Sequence, residues 1–103
     1  MSSNTLNLSG NANEIAETII PAGEGHAQDW HNWARQALAV VVKHCQSKNL
    51  AATEVPRILS HADAVELREI FAGTPAQPLA AEGNEKALAS IRAIAAQHVA
   101  DFR

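Results

Sequence analysis

The sequence predicts an all-α protein: a compact single-domain bundle of about five to seven helices, with a long central helix and a long C-terminal one. Three observations point that way. Alanine is the commonest residue, Tyr is absent, and only two Trp and two Phe occur in 103 residues, a composition that favours helix over strand. Apolar residues recur at the helical period along two long stretches. Asn, Asp and Thr, together with Pro and Gly, punctuate the chain where helices would start and stop. A core of Ala, Leu, Val and Ile implies closely approaching helix axes, and the length admits only one such core.

Residues 1–11 are polar apart from Leu6 and Leu8 and read as a flexible N-terminal linker or tag, leaving 12–103 as the folded domain. Asn13 is placed to cap a short helix through Glu14, Ile15, Ala16, Glu17 and Ile19, which Pro21 stops. Ala22 to His26 reads as a loop. The strongest helix signal runs from Asp29, as its cap, to Gln46. Here Trp30, Ala34, Ala37, Leu38, Val41 and Cys45 fall on one apolar arc, flanked by Trp33, Val40 and His44. Arg35, Gln36, Lys43 and Gln46 take the opposite face, and Asn49 suits the C-cap.

Thr53 then caps a short helix carrying Val55, Ile58 and Leu59, with Pro56 tolerated in the first turn. The next helix runs from about Ala62 to Phe71, with Val65, Leu67, Ile70 and Phe71 expected in the core and Gly73 ending it. Thr74 and Pro75 open one more turn, limited by Pro78. From Glu85 a long helix turns Leu88, Ile91, Ala95, His98, Val99 and Phe102 to the core. It also carries a smooth stripe of Ala89, Ala93, Ala96 and Ala100 suited to close packing. Its periodicity still runs at Arg103, as expected of a domain excised from a longer chain.

A net charge of −3 argues against a dedicated polybasic nucleic-acid module but leaves room for a local basic patch. The longest apolar run, Ala37 to Val42, is too short to span a bilayer, and no secretory leader follows Met1. Cys45 stands alone, so no internal disulfide is expected; it reads as a small core residue, and cytosol fits best. Phosphate-binding Gly loops, G-x-S-x-G, H-E-x-x-H and C-x-x-C are all missing, so neither independent catalysis nor a cofactor is expected. His26, Asp29 and His31 form an H-x-x-D-x-H cluster that could in principle serve a small metal-dependent enzyme. A solvated capping region is the simpler reading, and no metal is assigned. His44 and Cys45 are adjacent and diverge on a helix, so they make no catalytic pair.

Between Trp30 and Thr53 there is no acid, against Arg35, Lys43 and Lys48. With Trp33 beside them as a stacking aromatic, Trp33, Arg35, Lys43 and Lys48 are candidate nucleic-acid or partner contacts. The competing reading is a solvated helix face plus a core tryptophan. Acids dominate elsewhere, and Glu66 and Glu82 are the candidate contacts for a basic protein partner.

The run Glu17-Thr18-Ile19-Ile20-Pro21, a Gly/polar loop, then Asp29-Trp30-His31 and Ala34-Arg35 opening a long helix, resembles the all-α domain of type IV secretion coupling proteins, the TraD- and TrwB-like ATPases of conjugation. So does Phe71-Ala72-Gly73-Thr74-Pro75, followed by Glu85-Lys86-Ala87-Leu88-Ala89-Ser90-Ile91-Arg92. The resemblance covers roughly Ala12 to Phe102.

It implies a helical insertion in a nucleotide-binding domain, at the cytoplasmic end of a hexamer anchored in the inner membrane, with the ATPase motifs elsewhere in the parent chain. The implied partners are relaxase and relaxosome accessory proteins, the parent ATPase domain and, as a further candidate, single-stranded DNA. This fragment itself has no expected membrane contact and is expected to be monomeric when isolated. An inserted domain brings its ends together, so the first and last helices are expected side by side. Two functions remain open: a non-catalytic module that recognises the relaxosome and delivers it to the secretion channel, and a structural or oligomerising module that packs against its parent ATPase without touching substrate.

Overall fold

The computed structural model describes residues 10–20, 27–81 and 83–101. Within them the chain forms five α-helices and one 3-10 turn, with no strand: α1 (Ala12–Ile19), α2 (Ala27–Lys48), α3 (Glu54–His61), α4 (Ala64–Phe71), the turn Gln77–Ala80, and α5 (Glu85–Asp101). The expected Pro21 stop, the Ala22–His26 loop, Glu82 and Phe102 lie outside the described residues.

Local chemistry moves several boundaries. Asn11, not Asn13, caps α1: its Oδ1 accepts from the N–H groups of Asn13 (2.8 Å) and Glu14 (3.2 Å). Gly10 is also tied down, its carbonyl accepting from Gln46 Nε2 at 2.9 Å. α2 opens at Ala27, so Asp29 lies within the first turn, where the helix dipole still favours a carboxylate.

Asn49 ends α2 as expected, with φ of 60°, donating to the Gln46 carbonyl (3.3 Å) while Leu50 donates to that of Cys45 (2.9 Å). That bond pair satisfies two carbonyls the helix leaves open. Thr53 precedes α3 without a side-chain cap bond; backbone turns from Glu54 to Ala51 and Val55 to Ala52 start the helix instead. Asp63 caps α4 by accepting from Glu66 N–H at 2.8 Å, so α4 starts at Ala64 rather than Ala62. Pro78 sits inside the 3-10 turn and does not limit it, because the turn is set up by Thr74, whose Oγ1 bonds the Phe71 carbonyl and the Ala76 N–H.

α2 is the centre: α1, α3, α4 and α5 all pack on it, and α3 also packs on α5. The first and last helices each lie against α2 rather than pairing with one another, which corrects the expectation of a side-by-side pair. Phe71 is the largest fully buried side chain, among Leu38, Val41, Val42, Ile58, Leu59, Leu67 and Ile91. Cys45 is buried there too, and burial pushes its thiol pKa up, with Glu54 adding to the shift. Val65 is 62% exposed, against expectation. Leu67, Ile70 and Phe71 define the inward face of α4, and Val65 lies two residues from Leu67, more than half a turn away. The radius of gyration, 12.7 Å, matches the roughly 13 Å of a compact chain of this length.

Candidate nucleic-acid interface

α2 is about 33 Å long, longer than α1, α3 and α4, and α5 reaches its first turns through His98. Trp30 and Trp33 stand there, 36% and 40% exposed. Three residues apart on one helix, they meet edge to face with ring centroids 5.2 Å apart. Trp30 was expected on the apolar arc; both indoles instead form an aromatic patch that solvent reaches. Beside it His31 leans on His98 of α5, rings 5.5 Å apart and nearly perpendicular, which places His98 at a half-buried edge rather than in the core. Among the described residues no group of three His, Cys, Asp or Glu gathers as metal donors; His26 lies outside them.

The four basic-patch candidates do not share one face. At 100° per residue, Lys43 lies about 80° from Trp33, with Gln36, Val40, His44 and Ser47 completing a single outward stripe. Lys43 and Lys48 are exposed. Lys48 sits at the C-terminal end of α2, where the dipole favours a cation. Arg35 lies about 160° round from Trp33 and is half-buried, its Nε donating to the carbonyl of Ile20, the C-cap residue of α1. That side chain holds α1 to α2.

On the acidic side, Glu66 accepts from Arg57 Nη2 at 2.9 Å, and Glu54 accepts from Arg57 Nε at 2.8 Å, an ion-paired bridge from α3 to α4. Hydrogen bonds to Glu66 and then Glu54 hold the Arg57 guanidinium above its ordinary range. Glu66 therefore faces solvent with its charge largely matched, while Glu82 lies outside the described residues.

One residue that sequence reasoning left without a role is Arg92. From α5 it donates to the carbonyls of Leu59 (2.8 Å), Ile58 (3.2 Å) and Ala62 (2.8 Å), closing the C-terminal end of α3. Burial pulls its pKa below the ordinary arginine value. The signal in the sequence was its place between Ile91 and Ile94, both turned toward the core.

A helical domain with this central helix, an exposed tryptophan pair and an acid-free lysine-bearing face matches the type IV secretion-system coupling protein DNA-binding domain over residues 4–103. The chain belongs to this family. No curated protein and no solved structure gives a match. Within this coupling-protein domain, Arg35 and Arg92, two basic positions of the sequence resemblance, are both turned onto backbone carbonyls and serve the fold.

Proposed function

We propose that the domain is a non-catalytic substrate-recognition module of a conjugative coupling ATPase, acting in the cytoplasm to recognise the relaxosome and hand it to the secretion channel, and that it touches DNA through the outer face of α2. The observation that carries this reading is that face itself. It holds exposed Trp33 and exposed Lys43, with Lys48 near its end, and no acid between Trp30 and Thr53, on a protein whose net charge is −3. Aromatic faces stack bases and lysines neutralise phosphates, the two contacts from which sequence-tolerant strand binding is built.

The test is fluorescence anisotropy with labelled DNA at two salt concentrations. Two phosphate contacts, from Lys43 and Lys48, give a single-strand slope of about −1.4, so affinity should fall about sevenfold between 50 and 200 mM salt. Lys43→Ala should halve that slope, and Lys43→Glu should lower it further. A structural module that only packs on its parent ATPase is favoured by the inward Arg35 and Arg92, and it predicts no salt-sensitive binding. Titration of the labelled domain with purified relaxase, followed by NMR shifts around Glu66 and Glu82, tests the protein partner separately.

A further inference from the structure

We draw no further inference here: the strongest candidate, the ≈760 Å³ groove that Arg68, Pro75, Gln77 and Pro78 line beside α4 and the 3-10 turn, sets one exposed cation on a largely apolar wall, and nothing in the structure shows what covers it.

Discussion

Arg92→Ala should be among the most damaging single changes outside the apolar core. A helix leaves its last carbonyls open; the Ala62 N–H closes onto that of Ile58 (3.2 Å), and Arg92, 30 to 34 residues away in sequence, supplies three hydrogen bonds, to Ile58, Leu59 and Ala62. The acceptors are neutral carbonyls at the negative end of a helix dipole, so the guanidinium gives charge-assisted bonds without a carboxylate partner. Each such bond contributes about 1.5–3 kcal/mol when it stands alone. The three share one side chain and are not additive, and partial exposure lets water replace some of them. The net loss should be about 2–4 kcal/mol, a large part of a small domain's margin of about 5–15 kcal/mol. Thermal unfolding followed by circular dichroism should then drop by about 10–30 °C. Arg92→Lys keeps the charge without the planar fork and should recover less than half of that drop. Arg57→Ala, which removes an exposed ion-pair bridge, should melt near the parent. If Arg92→Ala melts with the parent, or no lower than Arg57→Ala, its bonds to α3 do not hold the domain together.

Arg35→Ala should cost about 1–2 kcal/mol by releasing the Ile20 carbonyl, with faster amide hydrogen exchange in α1 while α3 to α5 stay protected; unchanged exchange in α1 would count against the link. Leu38→Ala and Ile91→Ala, both fully buried, should each cost about 2–5 kcal/mol in urea unfolding, and parent-like midpoints would remove those residues from the core.

What could be read without coordinates follows from the range of the interaction. Asn49 as a C-cap, Leu67 and Ile70 as core, and the two long helices depend on residues within a turn or two, and the residues themselves state them. Val65 misled because it is apolar, although the period of Leu67, Ile70 and Phe71 places it outward. Asp29 and Thr53 misled because a capping residue type does not say which of several neighbouring turns will close first. Arg35 and Arg92 were illegible for a different reason. An arginine on an amphipathic helix looks solvated until another helix end, 15 or 33 residues away, is brought to its guanidinium. Trp30 and Trp33 depended in the same way on how the other helices pack along α2.

Arginines and lysines are placed differently in this domain. The described arginines all bond within the protein: Arg35 to Ile20, Arg57 to Glu54 and Glu66, Arg68 to Ala80, and Arg92 to the end of α3. Lys43, Lys48 and Lys86 are exposed and take part in no ion pair among the described residues. The split suits the chemistry, since the fork of a guanidinium satisfies fixed carbonyls while a flexible ammonium neutralises phosphates as a point charge. Two of those three lysines lie on the C-terminal half of α2, so the free positive charge of an acidic domain is concentrated on its central helix. An arginine substitution here that abolished DNA binding would report on folding. Lysine substitutions on α2 test the proposed contact without touching a bond that holds the fold.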